Sequence, residues 1–490
     1  MPRPTANSMS LPPDALALAN AIRTGKTTAL AAMEASIAAA RAFEPLGAVR
    51  HVDAAMGRAA AEAFDDRLKS GDADAADAPF AGLPFLMKDL GANAKDLPKV
   101  AGNAWLRKNG LLPFRDDDLT IRMRAAGLLP FGLTTVPEFG VALSSEPEIG
   151  PIARNPHDES LTPGGSSGGA AAAVAAGIVA IAHATDAGGS TRVPAACCGL
   201  VGLKASRGAM PTGPEFGNHL MGIASELVVS RSVRDTAAAL DALAGNNRGP
   251  LPDPALGLPV LAALDTAPEL LRIGILADAP NVEVTTERRE AVEETGRWLK
   301  SEGHTLVPLD AGDFRKAVDD AQAVFATIIL ANFARNMGPV AGALKMGDTS
   351  ILCRKLIDDG LALPASALFE ADLMMARLSA AMWRHFETVD VILTPMLSGP
   401  PLPIGSFPLD HMDVDLHWRR MAEFSPYAAL ANVAGTPAVT VPVGADANGL
   451  PLPVQIIGPI ASDGLLLRLA RRLETKSTWQ HRFPIAGFVE

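Results

Sequence analysis

The chain is poor in cysteine: three in 490 residues, Cys197, Cys198 and Cys353, which excludes a disulfide framework, and no CxxC pair offers a zinc site. A reducing compartment fits that usage. No run of five or more Lys/Arg occurs and the formal net charge is −11, so non-specific nucleic-acid binding is excluded as a function class. The first residues, MPRPTANSMSLPPD, lack an apolar h-region, so no signal peptide is read and a cytoplasmic location follows as the default. The longest apolar run, Ala170 to Ala182, spans 13 residues and ends at His183, short of the roughly 20 that a membrane span needs. No transmembrane helix and no membrane partner are expected. Internal repeats and low-complexity tracts are absent too.

What is present is globular composition, with 48% hydrophobic, 20% charged and 5% aromatic residues. The 44 glycines and 39 prolines point to many turns and to close backbone approaches that a side chain would block. Helical patterning covers residues 13–43 with a break at Gly25, then 53–69, and 72–81 reads as loop. A turn at Gly82 leads into a buried-looking strand that ends on Lys88. Further expected elements are helices at 117–126, 168–177 and 232–244, and strands at 48–52, 128–134 and 178–183. A Pro-rich stretch, 249–268, is either a surface connection or the boundary of a second lobe. Beyond it come strands 272–277 and 305–309, helices 287–300, 314–335 and 365–386, strands 389–394, 438–443 and 454–457, and a last helix 463–474. Alternation of this kind indicates an α/β sheet covered by helices. One domain over 1–490 explains it better than three. Its parts are N-terminal helices (13–71), a catalytic core (80–245), an inserted, mostly helical portion (279–388) and C-terminal strands and helix (389–490).

Two Gly-Ser clusters carry the chemistry. Gly164-Gly-Ser166-Ser167-Gly168 satisfies G-x-S-x-G, the pattern of a nucleophile elbow, but the segment before it reads as loop where an elbow needs a strand. The second cluster, Asp186-Ala-Gly-Gly-Ser190-Thr-Arg192, does follow a strand. Two glycines before a serine leave backbone N–H groups unobstructed for an oxyanion, which makes Ser190 the better nucleophile. A serine hydroxyl needs a base, and no histidine lies in a pattern that marks one. Lysine can serve when burial keeps it neutral, and Lys88 has the surroundings for that.

Gly82-Leu-Pro84, Lys88-Asp89, Gly164–Gly169, Asp186–Pro194 and Cys198-Gly-Leu-Val-Gly-Leu-Lys204 together resemble the amidase signature family of serine hydrolases. The likeness extends to Pro137–Gly140, Asn155-Pro156, Ser232–Asp235, Thr394-Pro395, Gly435–Gly444 and Val454–Gly458. Glu146-Pro-Glu and Arg154-Asn-Pro look similar to the branch that hydrolyses 6-aminohexanoate cyclic dimer. The resemblance implies an α/β amidase signature fold, with a mixed, mostly parallel central sheet and helices on both faces. It also implies a Ser–cis-Ser–Lys relay without metal or cofactor. Ser190 would be the nucleophile, Ser166 the bridging serine after a cis peptide bond, and Lys88 the base. Backbone N–H groups of Ala187, Gly188, Gly189 and Ser190 would hold the oxyanion. A homodimer is implied at the same level.

The expected reaction is hydrolysis of a small amide, lactam, anilide or carbamate through an acyl-enzyme, with esters attacked by the same relay. The rivals are a tRNA-dependent amidotransferase A-type subunit that releases ammonia from glutamine, and a catalytically dead binding member. Val141, next to Glu138-Phe-Gly140, is an apolar candidate for the pocket wall. Met337, Met346, Met374, Met375, Met382 and Trp418 line the pocket or its lid, or fill core. Cys197 and Cys198 read as small buried hydrophobes, and Asp186 and Arg192 as supports of the nucleophile loop. Departures from the family pattern stand at Ala101-Gly-Asn103, Gly132-Leu-Thr-Thr135 and Pro453, none in the trio.

Overall fold

The computed structural model describes residues 13–110, 112–214, 219–247 and 251–488. Its strands are β1 (Val49–Val52), β2 (Leu83–Lys88), β3 (Leu128–Thr134), β4 (Ile181–Asp186), β5 (Val201–Lys204), β6 (Ser225–Ser230), β7 (Arg272–Ile275), β8 (Thr305–Pro308), β9 (Val391–Pro395), β10 (Ala438–Ala445) and β11 (Pro451–Ile457). All eleven belong to one sheet, in the order β1-β3-β2-β4-β6-β5-β10-β11-β9-β7-β8. Strands β2, β3 and β4 are buried along their whole length, as the nearly continuous apolar runs of β2 and β3 require when both faces are covered.

The sheet is mixed, but the expectation that it is mostly parallel is corrected. Only β2–β3, β2–β4, β7–β8 and β7–β9 pair in parallel, and the other six described pairings are antiparallel. The reason is plain at β10 and β11, joined by the turn 446–450, far too short for a crossover.

Sixteen described α-helices cover the sheet: α1 (Ala15–Arg23), α2 (Ala29–Ala42), α3 (Ala54–Lys69), α4 (Ala73–Asp77), α5 (Ala104–Asn109), α6 (Asp118–Ala125), α7 (Gly168–Ala175), α8 (Arg192–Cys198), α9 (Val233–Leu243), α10 (Thr286–Ser301), α11 (Ala311–Met337), α12 (Ile351–Ala362), α13 (Ala365–Phe386), α14 (Val414–Phe424), α15 (Ala428–Ala434) and α16 (Asp463–Lys476). Polar side chains cap many of them, Thr28 on α2, Asp53 on α3, Ser232 on α9 and Ser350 on α12 among them. Asp235 of α9 accepts from the N–H groups of Ala15 and Leu16 at 2.9 and 3.0 Å, which ties α1 to the core. The segment 72–81, expected as loop, holds α4. Elements that the patterning did not reveal, β5, β6, α5, α12, α14 and α15, are mostly short. The Pro-rich stretch, described from residue 251, buries Leu256, Val260 and Leu264.

The residues of α7 are all Gly, Ala or Val, and every one is buried. Cβ atoms on Gly168 and Gly169 would fall within 2.6 Å of Ser145 Oγ and within 2.4 Å of the Thr135 backbone N. The long apolar run in the sequence is therefore a buried helix that continues through a turn into β4. By length and composition, Ala311–Ala343 is apolar enough to cross a membrane. In the fold, α11 instead turns Phe314, Val318, Ala321, Phe325 and Ile328 inward and packs on α12, α13 and α15. The expected inserted portion holds α10, β8, α11, α12 and α13, and β8 ends the sheet beside β7.

Helices α11 and α12 meet through Gly360, where a Cβ would lie 2.2 Å from the Leu330 carbonyl oxygen. Substituting Gly360→Ala should force the pair apart and destabilise the protein by about 1–3 kcal/mol. A denaturant or thermal melt of the variant beside wild type measures it; an unchanged midpoint would contradict the close approach.

Candidate active site

Lys88, the last residue of β2, has no solvent exposure. Its Nζ lies 2.8 Å from Ser166 Oγ, donates to Thr185 Oγ1 at 2.7 Å and reaches the Thr185 carbonyl at 3.5 Å. A neutral amine has two N–H groups and one lone pair. With its hydrogens on the two oxygens of Thr185, the neutral amine would leave its lone pair for Ser166, whereas the protonated amine donates to all three. Burial pushes the Lys88 amine down from 10.5 to about 7, while the carboxylates of Glu226 and Asp186 pull it partly back. The base of β2 is set by His183 of β4. Its Nδ1 accepts the Lys88 backbone N–H at 3.3 Å, and its Nε2 lies 2.8 Å from Glu226 Oε2.

No strand precedes Ser166, so the nucleophile-elbow geometry is absent there. The Gly165–Ser166 peptide is cis, as the resemblance implied. Gly164 has φ +81°, and a Cβ on Gly165 would lie 2.2 Å from the Ser144 carbonyl, so the loop is built from backbone laid on backbone. Ser145 Oγ donates toward the Gly164 and Ser166 carbonyls at 3.3 Å and accepts the Gly168 N–H at 3.0 Å. The Ser167 N–H donates to the Ser190 carbonyl at 3.2 Å, which joins the two serine segments directly.

Ser190 follows β4 and precedes α8, and it is 8% exposed. Of the four backbone donors expected for an oxyanion, one is already engaged: the Gly189 N–H donates to Asp186 Oδ1 at 2.7 Å. Those of Ala187, Gly188 and Ser190 make no backbone hydrogen bond of their own among the described residues. The loop is closely walled. A Cβ on Gly188 would lie 2.9 Å from the Phe325 ring, and one on Gly189, where φ is +109°, would lie 2.9 Å from Ala428 Cβ.

Asp186 and Arg192 support this loop from beneath. Arg192 Nε and Nη2 donate to Asp186 Oδ2 and Oδ1 at 2.9 and 3.0 Å, and both side chains are buried. Burial alone would raise the Asp186 carboxyl, but Arg192, the Gly189 N–H and Asn432 outweigh it and hold the group well below the usual carboxylate range. Arg192 also donates to Gln455 Oε1 at 2.7 Å and Asn432 Oδ1 at 2.6 Å, and Asn432 Nδ2 donates to the Asp186 carbonyl at 2.9 Å.

Lys88 and Ser166 are thus brought into contact, and Ser190 is bonded to the next residue along. Val141 is 4% exposed; its carbonyl accepts from His417 Nε2 at 2.6 Å, and burial lowers that imidazole to about 4. Trp418 is buried edge-on to Phe325, with ring centroids 5.6 Å apart. Met337, Met375 and Met382 are core residues. Cys197 and Cys198 are buried free thiols, and burial pushes Cys197 up to about 12. Among the described residues no three His, Cys, Asp or Glu side chains converge as metal ligands. Sequence reasoning missed Thr185, Ser145 and Glu138. Glu138 accepts from Asn103 Nδ2, Thr349 Oγ1 and the Ser350 N–H at 2.5, 2.7 and 3.0 Å. The place of Thr185 at the end of a strand, just before Asp186, was a usable signal; nothing local marked the others.

Comparison with known proteins bears on this geometry. The family model described as Amidase matches residues 31–467. The chain is 29% identical over 486 residues to 6-aminohexanoate-cyclic-dimer hydrolase of Paenarthrobacter ureafaciens, covering 96% of each chain. It is 32% identical over 480 residues to the putative amidase AmiC of Mycobacterium tuberculosis, covering 95% of each. A solved structure of 6-aminohexanoate cyclic dimer hydrolase superposes with a TM-score of 0.87 at 29% identity, over 96% of this chain and 98% of that one.

The buried amine has a measurable thermodynamic signature. Unfolded Lys88 holds its proton up to about 10.5 and the folded residue only to about 7, so folding carries the full cost below pH 7 and none above 10.5. Lys88→Met should therefore raise the melting temperature at pH 7, the gain being on the order of several kcal/mol. That advantage should shrink as the pH rises toward 10. A pH-independent difference between the two melting curves would contradict a neutralised buried lysine.

Proposed function

This chain belongs to the amidase signature family and is an amide hydrolase, and from that premise we propose that Lys88, Ser166 and Ser190 are its catalytic relay. The observation that carries the reading is the 2.8 Å contact between Lys88 Nζ and Ser166 Oγ in a site dry enough to bring the amine down to about 7, so that it can hold or release a proton at neutral pH. Ser190 Oγ attacks the amide carbonyl and gives its proton to Ser166, whose own proton passes to the lone pair of Lys88. Thr185 holds the amine so that this lone pair has one direction to face. The oxyanion that forms is met by the N–H groups of Ala187, Gly188 and Ser190. Gly189 serves the loop instead, its donor held by Asp186.

The relay then runs backwards to protonate the leaving amine, and water, activated by the same groups, releases the acid and frees Ser190. Uncharged Ser166 and neutral Lys88 suit a substrate that is itself uncharged at the reacting centre. We take that substrate to be a small amide, with the cyclic amide that names the relative from Paenarthrobacter ureafaciens as the first compound to test. Val141 borders the acyl side: Gly140, just before it, comes within 3.2 Å of Ser166 Oγ at its Cβ position. Three buried thiols support a reducing, cytoplasmic setting.

Mass spectrometry of the intact protein after a fluorophosphonate should show one adduct in wild type and none in Ser190→Ala, with amide turnover in that variant falling about 10⁴-fold or more. An adduct on Ser166 that survives Ser190→Ala would reverse the assigned roles. Since only neutral Lys88 accepts a proton, kcat/KM should rise with pH through about 7 and then level off. A profile flat from pH 5 to 9 would remove Lys88 as the base. Val141→Asn should shift the ratio of rates on alkyl and polar acyl amides by about tenfold. Identical ratios in the two proteins would take Val141 out of the pocket.

A further inference from the structure

The segment 138–145 lies along the loop that carries Ser166. A Cβ on Gly140 would lie 3.2 Å from Ser166 Oγ and 3.6 Å from Ser166 Cβ, so the Gly140 backbone closes one side of that hydroxyl. Ser145 Oγ ties the other end, through the Gly164 and Ser166 carbonyls and the Gly168 N–H. The hydroxyl is thereby kept on the side of Lys88 Nζ, 2.8 Å away. The near end of the segment does not hold its own shape. Phe139 has φ +50° and ψ 15°, and Gly140 follows at φ +74°. Two left-handed residues in succession, the first of them bearing a side chain, persist only where the surroundings impose them. The Phe139 N–H donates to the Ala101 carbonyl at 2.8 Å, and the ring stands edge-on to Phe333 of α11 with centroids 5.3 Å apart.

Glu138 supplies the remaining hold. It is 4% exposed, and its donors are neutral and come from other elements: Asn103 Nδ2 beside α5, and Thr349 Oγ1 and the Ser350 N–H at the start of α12. Asn103 is fixed in turn, its Nδ2 also donating to the Asp348 carbonyl at 3.0 Å and its Oδ1 capping α5 through the Leu106 N–H at 2.8 Å. Ala101 and Asn103, which both hold this turn, belong to the stretch where the sequence departs from the family pattern. Hydrogen bonds from three directions fix an orientation, which a single counter-ion would not. We propose that Glu138 is a positioning residue of the relay: its carboxylate, held by Asn103, Thr349 and Ser350, sets the turn 138–140 so that Gly140 keeps the Ser166 hydroxyl on Lys88. The proposal rests on the assignment of Lys88, Ser166 and Ser190 as that relay. Glutamine cannot take over the role. Oε1 accepts from Asn103 and Thr349 and Oε2 from Ser350, so either orientation of an amide turns its NH₂ toward another donor.

An anilide and the p-nitrophenyl ester of the same acid separate this role from a merely structural one. An amine leaves only with a proton, which Ser166 has to deliver, whereas p-nitrophenolate leaves without one. In Glu138→Gln, kcat/KM should fall about 100-fold on the anilide and no more than about tenfold on the ester, the loss lying in kcat with KM nearly unchanged. Thr349→Val removes one donor from a half-buried position and should shift the same anilide-to-ester ratio about threefold. Circular dichroism and melting curves establish which variants are folded, and Thr349→Val decides alone if Glu138→Gln is not. A smaller folded fraction would lower both rates equally. An anilide-to-ester ratio that stays at the wild-type value in the folded variants therefore overturns the proposal and leaves the relay standing. Amide turnover that survives Ser190→Ala overturns the relay, and the role of Glu138 with it.

Discussion

The bidentate contact between Asp186 and Arg192 is the interaction on which the rest of the site depends. Both side chains are buried, so neither charge has water to fall back on. Removing one partner of such a pair typically costs 3–5 kcal/mol, because the other is left charged in a dry place. The pair also binds distant parts of the chain. Asp186 ends β4, Arg192 opens α8, and the remaining donors and acceptors reach Gln455 on β11 and Asn432 on α15. Residues more than 240 positions apart therefore meet beneath one five-residue turn. The turn carrying Ser190 has its shape because Asp186 takes the Gly189 N–H and reaches toward those of Thr191 and Arg192.

The same ion pair enters the electrostatics of the base. A lysine with no exposure and no counter-charge would be neutral far below pH 7, and one with a full counter-ion would stay protonated. Lys88 lies between these limits. Burial dominates, and the two carboxylates that oppose it, Glu226 and Asp186, are each occupied with other partners. Asp186 is neutralised by Arg192, while Glu226 accepts the Ala92 N–H and sits beside His183. Their field at Lys88 is therefore partial. An amine near 7 is what a proton relay at neutral pH requires, since the group must both accept and return the proton within one turnover.

How much of this was legible in the chain follows from where each constraint resides. The Gly-Ser clusters, Lys88 at the end of an apolar run and the strand before Ser190 are local features, and the buried runs of β2 and β3 match the expected spans at both ends. Family resemblance supplied what the residues alone could not, the cis bond before Ser166 above all. The parallel bias assigned to the sheet failed because most pairings turn out antiparallel, at β10 and β11 through the short turn 446–450 and elsewhere through longer connections that return a strand beside its neighbour in the opposite direction. α15 went unread because it has only seven residues. Thr185, Ser145 and Glu138 are ordinary residues until the fold brings their partners to them.

The walls of the site show why the reaction was easier to read than the substrate. The reacting groups lie within residues 88–192, where glycines let backbone touch backbone and any side chain would break the contact. That requirement leaves a dense mark in the sequence. Phe325, Met396 and Ala428, which close around the same loop, come from α11, the residue after β9 and α15, and Trp418 of α14 packs behind Phe325. Each is an unremarkable apolar residue on its own element, and many replacements would keep that element folded. If the proposed relay holds, selection of the acyl group rests on side chains that the fold tolerates in several forms, while the relay rests on a backbone that it tolerates in one. On that reading, substrate range would change through α11 and α15 with the relay left intact, whereas a change in the backbone of the serine loops would break the relay itself.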